Sequence, residues 1–126
     1  MYLIDSDILI DYLRLHEKAI DFLDNLNKKD RAIAHISIFE LLKGCSRKTQ
    51  EDQINRFIKK FQIINMNEKI VKKALELYRV KRWIFGLGIA DSFIAATGIL
   101  NKCELVTRNT KHYKNISGLK IKTPYF

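Results

Sequence analysis

Apolar residues fall along the chain first in short continuous runs and then at helical spacing, and the two patterns alternate. Tyr2-Leu3-Ile4 is a compact apolar run that stops at Asp5-Ser6-Asp7. It predicts a buried strand, a polar join, and a helix from about Asp7 to Leu15, with Asp or Ser at the join as N-cap. Between Glu17 and Asn27, Ile20, Phe22, Leu23 and Leu26 recur at helical spacing and predict a second helix. Ala32 to Ile36 reads as a second strand of the kind buried in parallel sheets. Ser37 is then the cap candidate for a helix opening at Ile38, and Ser37 with Glu40 three residues on fits a capping box. Glu51 to Phe61 is an amphipathic helix, and Gln62 to Met66 a strand or extended link. Asn67 caps a long helix through about Arg82, with Ile70, Val71, Ala74, Leu75, Leu77 and Tyr78 as its buried face. The remainder of that helix carries Lys69, Lys72, Lys73, Arg79, Lys81 and Arg82, a pattern read as a solvated face.

Trp83 to Gly88 reads as an apolar loop feeding the stretch around which the chain is organised, Gly88 to Leu100. Ile89, Phe93, Ala96 and Leu100 recur at helical spacing, and Ile94, Ala95 and Ile99 make most of the opposite side apolar, so this helix is expected to be buried on most faces. Near its start stands Asp91. It is either a first-turn acid that favours the helix dipole or a carboxylate kept in apolar surroundings because something pairs with it. Glu104 to Thr107 predicts a further strand, Thr110 to Lys114 a helical turn, and Leu119 to Lys122 a last strand. The alternation implies an α/β fold with a parallel sheet and helices on both faces. In such sheets function gathers at the carboxyl ends of the strands. Asp5, Glu40, Asp91 and Asn109 are all expected at that edge.

Length adds a bound: 126 residues make one domain, residues 1–126, able to bury roughly 65% of its unfolded surface without staples. Cys45 and Cys103 lie far apart with no C-x-x-C, and read as small buried residues, with the cytoplasm as the default compartment. A strand-like start with an acid at position 5 is not a signal peptide, and no apolar run approaches a membrane span. Charge changes the picture more. Lys and Arg total 23 against 14 acids, a net charge of +9 spread along the chain, which is the footprint of a folded domain with a polyanionic partner.

Carboxylates gathered at one edge repel one another and raise their own pKa values, a conflict that a divalent cation removes. An all-oxygen set suits Mg²⁺ or Mn²⁺, and a hard cation in a basic protein points to phosphodiester hydrolysis. At this point the residues carry a resemblance. LIDSDILIDYL, ISIFELLKG, GIADSFIAATGI and LVTRNTKHY, in that order over almost the whole chain, resemble the successive signatures of PIN-domain ribonucleases, and most of all the VapC-type toxins of toxin–antitoxin pairs. The resemblance implies a three-layer α/β/α domain with a central parallel sheet and a metal-dependent endoribonuclease acting on structured RNA such as transfer RNA. It implies Asp5, Glu40 and Asp91 as ligands of Mg²⁺ or Mn²⁺, Asn109 at the position of a fourth acid or Asn, and Ser6 and Thr107 at small hydroxyl positions of the site. A homodimer held inactive by a cognate antitoxin is also implied.

Two departures accompany it. Asn109 is neutral, and Asp7 stands where relatives often carry Asn; Asp7 either adds charge to the site or caps the first helix, the cap being the preferred reading. Lys43 and Arg47, placed one and two turns beyond Glu40, join Arg108 and Lys111 as candidate contacts to RNA phosphate. His112 could serve as a proton donor, but metal-dependent hydrolysis needs no histidine, and an exposed turn residue is the preferred reading. Trp83 is open between a base-stacking, an interface and a core role. Two rival functions are a haloacid-dehalogenase-type phosphatase, since Asp5-Ser6-Asp7 after a strand imitates its D-x-D, and a non-catalytic RNA- or protein-binding domain whose acids are caps.

Overall fold

A computed structural model describes residues 1–125 of the chain. Five strands form one sheet: β1 (Tyr2–Ile4), β2 (Arg31–Ala34), β3 (Gln62–Ile64), β4 (Glu104–Val106) and β5 (Lys120–Lys122). Their order is β3-β2-β1-β4-β5, and every pairing is parallel. Tyr2 lies opposite Arg31 on one side and Glu104 on the other, so β1 is the central strand. Among the described residues seven α-helices connect them: α1 (Ser6–Leu13), α2 (Glu17–Asp24), α3 (His35–Lys43), α4 (Lys48–Ile58), α5 (Glu68–Phe85), α6 (Ile89–Leu100) and α7 (Thr110–Tyr113).

Successive strand residues point to opposite faces, and here both faces are covered. Leu3, Ala32, Ala34 and Leu105 join Ile70, Ala74, Leu77, Ile94 and Ala95 of α5 and α6 in one core. Their neighbours Ile4, Ile33 and Val106 join Ile8, Leu9, Leu23, Leu41 and Phe57 of the other helices in a second. The expected three-layer α/β/α arrangement is thus present. Gly98 lets α6 approach closely: a Cβ there would stand 3.0 Å from Leu119 Cδ1 and 3.7 Å from Leu3 Cδ2.

Element boundaries differ from the sequence reading at several places; α4, for one, runs Lys48–Ile58 rather than Glu51–Phe61. His35 and Ile36 are helical rather than strand, because the β2–β3 ladder ends at the Ala34–Ile64 pair and leaves no further partner. Ser37 therefore sits inside α3, buried, and makes no cap; the N-cap is Ala34 and no side chain caps the helix. The capping box expected of Ser37 and Glu40 does not form. At α1 the cap is Asp5, whose carboxylate accepts from the Ser6 amide, so Asp7 is not the N-cap either. Trp83 to Phe85 continue α5, which Gly86 then ends in the left-handed conformation at φ 67°. The buried face of α5 is also narrower than expected: Ile70, Ala74 and Leu77 are covered, while Val71 and Leu75 are 42% and 49% exposed.

Candidate active site

The order β3-β2-β1-β4-β5 reverses direction between β1 and β4, and the crevice at such a switch point is the ordinary place for a site in an open parallel sheet. Asp5 follows β1 there, and its amide still donates to the Val106 carbonyl at 3.0 Å. Thr107 follows β4 beside it and is fully buried. Its hydroxyl donates to Asp5 Oδ2 at 2.8 Å, while Asp5 Oδ1 accepts from the Ser6 amide at 2.8 Å. Asp5 is 4% exposed. Burial, with the nearby charges of Asp7 and Asp91, outweighs these hydrogen bonds and raises its carboxyl to about 7.

Asp7 belongs to this cluster, contrary to its reading as a cap. Oδ2 accepts from the Arg108 amide at 2.9 Å and lies 3.4 Å from the Thr107 hydroxyl, and Oδ1 accepts from the Ile8 amide at 2.8 Å. Burial raises its pKa, opposed by the Arg108 and Ile8 amides. Glu40 projects from the second turn of α3. Its pKa is raised by burial first and then by Asp91 and Asp7, with the Ser6 hydroxyl and Lys43 pulling the other way. Its Oε1 is buried with no hydrogen-bond partner. A charged oxygen in that condition is costly unless something cationic meets it.

Asp91 stands in the first turn of α6, half-buried, with both oxygens engaged by α7. Tyr113 donates its hydroxyl to Oδ1 at 3.0 Å, and His112 Nδ1 lies 3.0 Å from Oδ2. Asn109 accepts no cap bond; its amide donates to Thr107 Oγ1 at 2.9 Å, and its side-chain amide faces the same His112 Nδ1 at 2.9 Å. One Nδ1 proton given to Asp91 requires the Asn109 amide oxygen, rather than its NH₂, to face the ring. His112 is thus part of the site and not the exposed turn residue the sequence suggested. The signal was available: His112 and Tyr113 follow Asn109 by three and four residues, one helical turn that returns toward the same edge.

Asp5, Glu40 and Asp91 lie near enough at this edge to feel one another's charge. Among the described residues no three His, Cys, Asp or Glu side chains stand close enough together to hold a metal ion in this arrangement. In donor chemistry the cluster suits a hard cation: it is all carboxylate, Asp5 and Glu40 are raised in pKa by burial and neighbouring acids, and Glu40 carries an orphaned buried oxygen. Of the expected phosphate contacts, Lys43 and Lys111 are exposed. Arg47 is exposed but is the N-cap of α4 and not on the helix of Glu40, because α3 ends at Lys43. Arg108 is already paired: Nε and Nη2 meet Asp11 at 2.8 and 3.1 Å. Trp83 is 76% exposed, which removes the core reading, and the Arg82 guanidinium lies 4.4 Å over its ring.

Comparison with known proteins agrees with this geometry. Ribonuclease VapC1 of Methanocaldococcus jannaschii is 33% identical over 122 residues, covering 94% of this chain and 85% of that protein. Ribonuclease VapC10 of Mycobacterium tuberculosis is 32% identical, covering 95% of this chain and 91% of that one. A toxin–antitoxin complex from Klebsiella pneumoniae contains a chain of similar structure, with TM-score 0.82 and 32% identity over 99% of this chain and 98% of that one. VapBC2 from Rickettsia felis, solved bound to a promoter DNA fragment, gives TM-score 0.81 and 27% identity over 96% of each chain. The PIN domain family matches residues 2–118, and with a parallel sheet that delivers its acids to one crevice, the chain belongs to the PIN domain family.

Proposed function

We propose that this protein is a metal-dependent endoribonuclease, the toxin of a toxin–antitoxin pair, which hydrolyses phosphodiester bonds in structured RNA such as transfer RNA. The observation that carries the reading is the buried acid cluster at the β1–β4 switch point, with Asp5 raised to about 7 and Glu40 Oε1 unpartnered. Asp5, Glu40 and Asp91 would hold Mg²⁺ or Mn²⁺, with Asn109 as a neutral neighbour. Bound there, the ion supplies an activated water and Lewis acidity toward a phosphate oxygen. Thr107 and Ser6 orient the carboxylates through their hydroxyls, and Asp7, fixed by the Arg108 amide, adds negative charge that favours a cation. Exposed Lys43, Arg47 and Lys111 hold the RNA backbone, while Arg108 first has to leave Asp11.

Two partners complete the proposal. A cognate antitoxin is supported by the similarity to chains solved in toxin–antitoxin complexes. A groove of about 300 Å³ lined by Ile10, Leu13, Arg14, Glu40, Leu41 and Ile54 runs directly beside the cluster, where such a partner would block it. A second copy of the chain is supported by the exposed apolar residues Val71, Leu75 and Ile89 along the α5–α6 pair. No helix among the described residues is long and apolar enough to cross a membrane, and both cysteines are free, in keeping with a cytoplasmic enzyme.

The test is cleavage of a defined RNA by purified, antitoxin-free protein in Mn²⁺ or Mg²⁺, with Asp91→Asn alongside. Wild-type cutting that stops in excess EDTA, and an Asp91→Asn protein that binds RNA without cutting, are expected. Cleavage undiminished in EDTA overturns the metal mechanism. Hydrolysis of a small phosphate ester without RNA cleavage would favour the phosphatase alternative, although membership of the PIN family speaks against it.

A further inference from the structure

The role of α7 is not explained by packing alone. Among the described residues Tyr113 is the largest fully buried side chain, and its ring sits in the core formed with α5 and α6. A phenylalanine would fill that space. Burying a hydroxyl without need is unfavourable, so a phenol kept in such a place is normally there for its hydrogen bond. That bond reaches Asp91 Oδ1 at 3.0 Å, and the Asp5 and Asp91 charges both act on the same hydroxyl. The neighbouring residue of the same short helix, His112, faces the other oxygen of Asp91.

We infer that Tyr113 is a positioning residue of the site: its buried hydroxyl fixes the orientation of the Asp91 carboxylate relative to Asp5, and His112 is the second jaw of the same clamp. The reasoning is geometric. Asp91 comes from α6 and Asp5 from β1, on separate segments of chain whose side chains would otherwise choose rotamers independently. Tyr113 is anchored by its ring, and α7 follows Thr107 and Asn109 after a few residues, so the helix ties the Asp5–Thr107 half of the crevice to the Asp91 half. A ligand set whose members are held in this way loses less entropy when it closes on its ion. The inference rests on the nuclease reading for its consequence, but not for the contact itself.

Tyr113→Phe keeps the ring and removes only the hydroxyl, so the core is preserved. With metal-free protein in EDTA, urea unfolding of wild type, Tyr113→Phe, Asp91→Ala and the double variant forms a double-mutant cycle. The expected result is non-additivity: the shift in urea midpoint caused by Tyr113→Phe falls by about half or more, or reverses, once Asp91 is gone. Mn²⁺ affinity, read by the electron paramagnetic resonance of the free ion, is expected to weaken about tenfold in Tyr113→Phe. The kcat for RNA cleavage is expected to fall by about tenfold or more while KM for RNA moves less than about twofold. An additive cycle overturns the inference, and so does a Tyr113→Phe protein with wild-type Mn²⁺ affinity and kcat. If wild type itself neither binds Mn²⁺ nor cuts RNA, the nuclease reading falls, and the metal-free cycle still decides whether Tyr113 holds Asp91.

Discussion

Asp5 shows how one side chain is asked to do two opposed things. It caps α1 through the Ser6 amide and anchors the acid cluster, and its burial raises its pKa to about 7. The sign of the resulting pH dependence follows directly. Between the ordinary aspartate value of about 4 and about 7 the folded protein binds more protons at Asp5 than the unfolded chain does. The stabilisation is therefore complete below about pH 4 and is lost as pH rises through about 7. Melting in EDTA is expected to show falling stability across that window, on the order of 2–4 kcal/mol in wild type, and a flatter profile in Asp5→Asn. Thr107 is the second residue with a single decisive atom. Thr107→Val keeps the buried volume but removes the hydroxyl shared among Asp5, Asp7 and the Asn109 amide. Steady-state RNA cleavage is expected to drop by about ten- to a hundredfold in kcat, with RNA affinity by filter binding nearly unchanged.

At the scale of elements, α6 and its neighbours set the spacing of the crevice. A Cβ at Gly98 would press on the Leu119 side chain, with Leu3 and the Cys103 carbonyl next to it, so the branched side chain of Gly98→Val has to displace that packing. A loss of about 1–3 kcal/mol in urea unfolding is expected. The α5–α6 pair leaves Leu75 and Ile89 49% and 61% exposed. If this face joins two copies, Leu75→Glu with Ile89→Glu gives a monomer by light scattering with its circular dichroism unchanged. A double variant that keeps the oligomeric mass of wild type assigns the interface elsewhere. Most elements were legible from periodicity, because a buried strand needs a short apolar run and a buried helix face needs spacing near four. Their ends were not. Whether His35 and Ile36 extend β2 depends on where β3 stops, and nothing in their own residue types says that. The face of α5 around Val71 and Leu75 is apolar in sequence, yet the chain's own core covers only its Ile70–Ala74–Leu77 side.

For the molecule as a whole, a net charge of +9 surrounds an acidic crevice, and under the proposed function the two are complementary: the surface would gather a polyanion and the crevice would repel it until a cation intervenes. RNA binding by the Asp91→Asn protein is expected to weaken linearly in log affinity against log salt, with a slope reporting several phosphate contacts. The candidate acids were largely legible in the chain. Asp5 ends an apolar run where β1 gives way to α1, Asp91 stands in the first turn of α6 and Glu40 in the second turn of α3, and parallel sheets bring such points toward one edge. Residue order and hydrophobic period thus determine the α/β/α layering and which edge carries the acids. What only the tertiary structure decided is the company each polar atom keeps. Asp7 leaves its capping role for Thr107 and the Arg108 amide, Arg108 is taken by Asp11, and His112 and Tyr113 turn inward onto Asp91. Such contacts join residues up to 101 positions apart. Hydrogen bonds and ion pairs have a reach of only a few ångströms, so they depend on how the strands are ordered and how closely the helices seat, neither of which any local stretch of sequence contains.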